Sequence, residues 1–380
     1  MSTLKVNTIN ASTSGQAVDV DIKNPRSFRN LVINGAMQVS QRGTSFSGTA
    51  QQYTLDRMQT NTVGNDEIAQ TEQAAVTSGG AYTSGFRKCM KIINGNQTSG
   101  AGSSDLVHLK MVLEAQDIAN SGWNYTSSSS YVTLSFWIKS SVAQDFPITL
   151  RSEDGTRQVY NMTTGSLSAG TWTKITKTIS GDSNLQFDDD VNAGLTLFIN
   201  AFVGTDYTTA GLAQNAWSAW SGTKQGDNMT STWYTTNNAT LEITGLQLEV
   251  GSVATDFEFR SFEYEFQRCL RYYEQMSSYG LGAGYFAVGY NESTTQCNHA
   301  ILYKAYKRAT PTVTTNGDSN FKNHNTGSSV ALSNLSIQGI SPMSCRGEAI
   351  SSSSVLSDGG CSCLASFDTD DAIIKIDAEL

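Results

Sequence analysis

A cluster of aromatic residues is the feature of this sequence that most directly suggests chemistry. Residues 204–238 are rich in Ser, Thr, Gly and Asn and contain five large rings: Tyr207, Trp217, Trp220, Trp233 and Tyr234. Flat indole and phenol rings pack against the C–H faces of sugars, and nearby amide or carboxylate groups bind sugar hydroxyls. The span therefore predicts a carbohydrate-binding surface. Packing beneath a long loop is the alternative, and for such rings it is the more common outcome.

Other residues with chemical potential are few. Asp188, Asp189 and Asp190 are consecutive in an apparent loop, where solvation is the simplest interpretation and a weak Ca²⁺ site or glycoside hydrolysis are the alternatives. The sequence contains no G-x-S-x-G, Walker A or H-E-x-x-H motif. We therefore predict no catalytic residue.

Two pairs of soft ligands lie near the C-terminus. Cys297 and His299 are two residues apart, as are Cys361 and Cys363, so on a strand each pair shares one face. The C-x-C spacing is a weaker metal signature than C-x-x-C, and unreactive thiols are the simpler interpretation. We predict no metal and no cofactor.

Composition narrows the class of protein. The chain has 380 residues and a formal net charge of −9, and only 16% of its residues are charged. An acidic chain without a Lys/Arg block is unlike a nucleic-acid binder, and no stretch approaches the ~20 apolar residues of a membrane span. The N-terminus does not resemble a signal peptide, so we expect synthesis in a cytoplasm and mostly reduced thiols.

The elements that must position these residues are mainly strands. In residues 4–22, two short stretches alternate apolar and polar residues, with a turn-like stretch between them. This pattern predicts a weak hairpin that needs a partner. From 45 to 256 short strands recur between glycines, which predicts an antiparallel β-sandwich of the jelly-roll type. In residues 240–250 the alternation changes phase at Gly245, which indicates a bulge. Residues 280–380 return to strand patterning and predict a C-terminal β tip domain.

One segment has a helical period instead. In residues 257–279 apolar side chains recur at spacings of three and four: Phe259, Phe262, Phe266, Cys269, Tyr273 and Met276. Such an a/d seam predicts a short trimerising helix around a symmetry axis. An amphipathic helix packed on its own domain is the alternative, since only about two and a half heptads are present.

Three stretches resemble bacteriophage tail fibre proteins. The first is NLVINGAMQVSQRGTSF at 30–46 with YTLDRM at 53–58, although Met58 stands where relatives usually carry Trp. The second is TGLQLEVGSVATDFEF at 244–259, which leads into EYEFQRCLRYYEQ. The third is AYKRATPTVT at 305–314 with the ending IDAEL. Together they bracket most of the chain.

The resemblance implies a homotrimeric receptor-binding protein of the virion tail. It divides the chain into a tail-attachment segment (1–44), a sandwich like a carbohydrate-binding module (45–256), the helix (257–279) and a tip (280–380). The expected partners are phage tail proteins and a host cell-surface glycan or other receptor, with no nucleic acid and no membrane insertion. A tailspike-like glycan hydrolase and a purely structural virion component are the alternatives.

Overall fold

The computed structural model describes residues 28–47, 50–277, 284–325, 328–366 and 372–380. The hairpin predicted over residues 4–22 lies outside these ranges. Within them, no helix has the length and apolar character that a bilayer-spanning helix requires.

Two antiparallel sheets enclose one large apolar core and confirm the predicted mainly-β sandwich. Their strands are β1 (Ser45–Phe46), β2 (Gln51–Tyr53), β3 (Gln59–Val63), β4 (Gln70–Ala75), β5 (Lys88–Ile93), β6 (Leu106–Glu114), β7 (Tyr131–Ser140), β8 (Pro147–Ser152), β9 (Gln158–Thr163), β10 (Thr173–Ser180), β11 (Ala193–Val203), β12 (Trp217–Ala219) and β13 (Thr240–Val250). The six-stranded sheet has the order β1-β4-β5-β13-β7-β10, and the seven-stranded sheet has the order β12-β9-β8-β11-β6-β3-β2. Three short helices interrupt them: α1 (Gly79–Thr83), α2 (Ala115–Ala119) and α3 (Thr232–Thr235).

The phase change in β13 has the predicted cause. β13 pairs with β7, and the register shifts between Thr244 and Gln247. Gly245 in the shift has a φ of 66°, which favours glycine, and a Cβ there would lie 2.5 Å from the Phe86 ring. The bulge therefore depends on glycine both for backbone conformation and for space.

Part of the segment predicted to attach to a tail belongs to the sandwich instead. Val32 and Met37 are fully buried in its core, and the Leu31 N–H donates to the Leu248 carbonyl at 2.9 Å. The sandwich therefore begins near residue 30 rather than at residue 45, because this stretch bonds the part of β13 beyond Ile243, where the pairing with β5 ends. Residues 1–27 of the predicted segment lie outside the described residues.

The second half of the chain is a short helix followed by a closed barrel and a small sheet. Its elements are α4 (Phe262–Leu270), β14 (Tyr273–Ser277), β15 (Tyr285–Asn291), β16 (Gln296–Leu302), β17 (Thr312–Thr315), a 3-10 turn (Asp318–Asn320), β18 (Phe321–Asn325), β19 (Ser328–Gln338), β20 (Ser344–Ser351), β21 (Cys361–Ser366) and β22 (Ile373–Asp377). The barrel closes in the order β15-β16-β20-β19-β18-β21, and the small sheet has the order β14-β22-β17.

The predicted helix is only partly correct. Tyr273 and Met276 lie on β14, where they pair with Asp377 and Ile374 of β22, so their assignment to a helical seam is wrong. The backbone of β22 supplies a full antiparallel ladder, and this tertiary pairing outweighs a marginal helical pattern. Phe259 precedes the helix, which leaves three of the six predicted seam residues on α4.

The remaining seam residues have different environments. Cys269 is fully buried against Ile33, Val39 and Tyr272 of the same chain. Phe262 is 54% exposed, and its ring stacks on Phe266 with centroids 5.9 Å apart. Cys269 therefore belongs to an internal core, whereas Phe262 presents an uncovered aromatic face.

Buried ion pairs join the sandwich to the helix and the C-terminus. Arg57 is buried, bonds Glu379, and lies flat over the Tyr272 ring with its guanidinium carbon 3.5 Å from the centroid. Arg271 donates to both oxygens of Glu114, from Nε at 2.8 Å and from Nη2 at 2.7 Å. Such paired guanidinium–carboxylate contacts fix geometry as well as charge.

A third ion pair links β14 of the small sheet to the end of α4. Lys307 Nζ donates to Glu274 Oε2 at 2.8 Å and to the Leu270 carbonyl at 2.5 Å, and both charged side chains are fully buried. We call these three ion pairs, Arg57–Glu379, Arg271–Glu114 and Lys307–Glu274, the junction. All of these residues except Glu114 come from the sequence stretches that resemble tail fibre proteins, so those stretches meet at the junction.

Candidate functional site

Two of the predicted sugar-binding rings are core residues. Trp233 and Tyr234 are fully buried. The Tyr234 ring stacks on Phe202 with centroids 4.3 Å apart, and its hydroxyl donates to Asp105 Oδ2 at 3.0 Å. Assigning Trp233 and Tyr234 to a sugar-binding surface is wrong, because a ring without an exposed face cannot stack on a ligand. For these two the packing alternative is correct.

The other three rings, Tyr207, Trp217 and Trp220, are half-buried and have no ring–ring contact with one another. Trp217 donates from Nε1 to the Ser180 carbonyl at 2.8 Å, and Tyr207 lies in the loop after β11. Trp220, just beyond β12, has the guanidinium carbon of Arg151 4.9 Å from its ring centroid. Arg151 lies on the outer face of the seven-stranded sheet, the face that points away from the core. Trp220 therefore lies at the border of that face.

Strand alternation gives that outer face its polar character. Along β6, Val107, Leu109 and Met111 point into the core, so His108 and Lys110 point outward. The same alternation in the neighbouring strands places polar side chains beside them.

One cross-strand row shows how the face is assembled. Cα pairing runs from Gln59 on β3 to Lys110, Phe198 on β11, Thr149 on β8 and Asn161 on β9. Residues paired in this way share a face of the sheet. Over part of this face lies an open depression of about 330 Å³, which we call the groove. It is lined by Ala50, Gln51, Asn61, Thr62, Val63, Leu106, His108, Lys110, Arg151, Phe198 and Gln225.

Several buried polar atoms on this face have no partner among the described residues. They are Gln59 Oε1, Asn61 Oδ1, His108 Nδ1, Asn161 Nδ2 and Asn200 Oδ1. A buried polar atom without a hydrogen bond destabilises a fold by about 1–3 kcal/mol. Most buried polar groups are bonded, so a concentration on one face of one sheet marks a place where a polar ligand would complete the bonding.

His108 is held as a neutral hydrogen-bond donor. Asn61 Nδ2 lies 3.1 Å from His108 Nε2, and since an amide nitrogen can only donate, Nε2 accepts and the ring proton lies on Nδ1. Burial lowers the pKa of His108 to about 3, with Lys110 and Arg151 adding repulsion. The unpartnered Nδ1 is therefore an N–H donor throughout the physiological pH range.

Arg151 is positioned by rings and by one carboxylate. Its guanidinium carbon lies 5.1 Å from the Phe198 ring centroid and 4.9 Å from the Trp220 ring centroid. Nε and Nη2 contact Glu153 Oε1 at 2.9 and 2.8 Å. The side of the groove near Phe198 thus carries an oriented cation.

The groove can bind a hydroxylated molecule through several amide groups, an imidazole N–H and two cations around an apolar ring. Sequence reasoning missed most of these residues, because polar side chains in alternating strands look like ordinary solvent-facing positions. The alternation of His108 and Lys110 with buried residues in β6 was the available signal, but only the sheet order brings Asn61 and Phe198 beside them.

The other predicted candidates do not converge. Asp188, Asp189 and Asp190 accept hydrogen bonds from three separate residues, Gln186, Asn120 and Asn192. In the described part of the chain, no three His, Cys, Asp or Glu side chains are grouped to hold a metal ion.

The two soft-ligand pairs lie on opposite sides of the barrel wall. Cys297 and His299 are buried, with Sγ and Nδ1 3.9 Å apart, whereas Cys361 is exposed and Cys363 is half-buried on β21. All six cysteines of the chain are free thiols.

Comparison with known proteins gives weak similarities. No protein-family model and no curated protein sequence matches the chain. Among solved structures, it is similar to the enzymatically active domain of tailspike protein 4 of bacteriophage CBA120, at 10% identity and a TM-score of 0.31, over 59% of this chain and 22% of that one.

Two Clostridium thermocellum proteins are similar at the same level. A family 11 carbohydrate-binding module has 13% identity and a TM-score of 0.25, over 56% of this chain and 98% of that one. The N-terminal modules of endo-1,4-beta-D-xylanase 10B have 12% identity and a TM-score of 0.26, over 57% of this chain and 29% of that one. The chain thus spans less than a third of the tailspike and xylanase chains. At these TM-scores the similarities carry no argument about function, which is inferred below from the chemistry of the groove.

Proposed function

We propose that this chain is a bacteriophage tail fibre protein that binds a host cell-surface glycan in the groove of its sandwich. The observation that carries the proposal is the pair of unpartnered polar atoms in the groove, Asn61 Oδ1 and His108 Nδ1, on a sheet face that carries three more such atoms. The assignment to a tail fibre is supported by the resemblance of residues 30–58, 244–275 and 305–314 to tail fibre proteins.

Sugar hydroxyls suit the chemistry of these atoms. In the groove, Asn61 leaves an oxygen that accepts and His108 leaves a nitrogen that donates. A hydroxyl both donates and accepts, so a glycan can satisfy both kinds of atom. The Phe198 ring, whose centroid lies 5.0 Å from that of the His108 ring, offers an apolar surface for sugar C–H groups.

The same proposal places the chain in the virion tail as a homotrimer, with residues 1–27 docking on other tail proteins. Support for assembly comes from uncovered aromatic side chains around α4: Phe28, Phe259, Phe262 and Tyr264 are 39–60% exposed. We propose a binding role rather than a catalytic one, since amide, imidazole and cationic groups line the groove, and glycoside hydrolysis uses two carboxyl groups.

Binding to a panel of bacterial surface glycans and to intact host cells tests the proposal. We expect wild-type protein to bind, and Asn61→Ala and His108→Leu each to weaken binding at least tenfold. Asn96→Ala, an exposed asparagine outside the groove, is the matched control and should bind as wild type. Released oligosaccharides would favour a tailspike-like hydrolase, and no binding to any glycan or cell would favour a purely structural role.

Assembly is tested separately by light scattering. A trimer of the 40.9 kDa chain is expected for the wild type. Phe262→Asp should reduce it to monomers if α4 lies at the interface, because the exposed ring would be replaced by a charge. A wild-type monomer at micromolar concentration would contradict the proposed homotrimer.

A further inference from the structure

The groove is a basic site on an acidic chain. The chain carries a net charge of −9, yet the charged side chains that line the groove are Lys110 and Arg151. Arg157 lies close by, with Nε 3.1 Å from Glu153 Oε2. Glu153 is therefore shared by two arginines, so one carboxylate faces two cations.

Lys110 is the cation whose charge is least compensated. It lies between Gln59 and Phe198 in the cross-strand row and forms no salt bridge within the described ranges. Burial and the nearby Arg151 lower its pKa, with Glu153 acting in the opposite direction. An anion placed beside the ammonium would relieve both effects.

Arg151 retains hydrogen-bonding capacity on its free nitrogen. Nε and Nη2 bond Glu153, whereas Nη1 has no partner among the residues that the structure describes. The Phe198 and Trp220 rings restrict the guanidinium plane, so little side-chain freedom is lost when Nη1 binds an oxygen.

We propose that the groove selects an acidic glycan, one whose carboxylate or phosphate contacts Lys110 and Arg151 while its hydroxyls bond the unpartnered polar atoms. This inference rests on the proposed glycan-binding function and adds the chemical class of the ligand. Charge-assisted hydrogen bonds are about twice as strong as neutral ones, so the acidic group supplies a large share of the affinity.

The test uses pairs of glycans that differ only in their acidic groups. Each acidic glycan on the panel is printed beside its carboxyl-reduced or dephosphorylated form, and Kd is measured for both. We expect removal of the acidic group to weaken binding at least tenfold. Whether reduction or dephosphorylation has the effect identifies the group as carboxylate or phosphate.

Variants of Lys110 locate the contact. Lys110→Gln should lose the preference for the acidic form, and Lys110→Arg, which keeps the charge, should retain most of it. Equal affinity for both members of each pair, or preference unchanged in Lys110→Gln, would overturn the inference. In that case weakened binding of His108→Leu would still support the groove as a glycan site, so the two proposals fail separately.

Discussion

The junction and the groove both hold polar groups away from water, but they treat them differently. At the junction each buried charge faces an opposite charge, as in Lys307 with Glu274 and Arg271 with Glu114. On the groove face, five buried polar atoms have no partner in the described chain. Paired charges hold parts of a fold together, whereas unpaired donors and acceptors on one open face are suited to an external ligand.

The largest expected effect comes from breaking the junction. Glu274→Gln leaves the Lys307 ammonium fully buried without a counter-charge, and we expect a loss of about 3–5 kcal/mol in the free energy of unfolding. Denaturant unfolding measures it. The control is Glu72→Gln, which breaks the partly exposed pair with Lys91 and should change stability by less than about 1 kcal/mol. Similar losses in the two variants would show that burial of the pair is not what matters.

A substitution beside the groove, at the position paired with Lys110, should have the opposite effect: little change in stability and weaker glycan binding. Gln59→Leu replaces a buried side chain whose Oε1 is unpartnered, so we expect unchanged stability or a gain of up to about 1 kcal/mol. Glycan binding, measured by calorimetry, should weaken about tenfold because one hydrogen-bonding group is lost. A loss of stability as large as that of Glu274→Gln would erase the distinction between the two regions.

The smallest effect is a pH dependence at the junction. Burial alone would raise the pKa of Glu114, but hydrogen bonds from Arg271 and Tyr272 outweigh it and hold the pKa below its ordinary value of 4.5. The stabilisation is therefore complete above about pH 5 and is lost as pH falls through the lowered pKa of the folded state. The difference in unfolding free energy between wild type and Glu114→Gln should shrink between pH 5 and pH 3. A constant difference would contradict this assignment.

The fold was largely predictable because strand alternation is a local signal. The phase change at Gly245 and the strand Thr312–Thr315 were both visible in the sequence. Tyr273 and Met276 were misassigned, since only a few residues of the helical pattern follow Leu270 and the partner strand β22 lies about a hundred residues away.

The site was much less predictable than the fold. Aromatic clustering drew attention to Trp233 and Tyr234, which are ordinary core residues. The groove residues are spread over β2, β3, β6, β8 and β11, and no local pattern distinguishes them from solvent-facing positions. Only the non-sequential sheet order places Asn61 beside His108 and Phe198 beside Lys110.

The central claim is that the unpartnered atoms of the groove are ligand contacts. A crystal structure of the protein with a glycan identified on the panel tests it most directly. We expect sugar oxygens within hydrogen-bonding distance of His108 Nδ1 and Asn61 Oδ1, with an acidic group beside Lys110. A glycan bound elsewhere, with the groove occupied only by solvent, would contradict the claim.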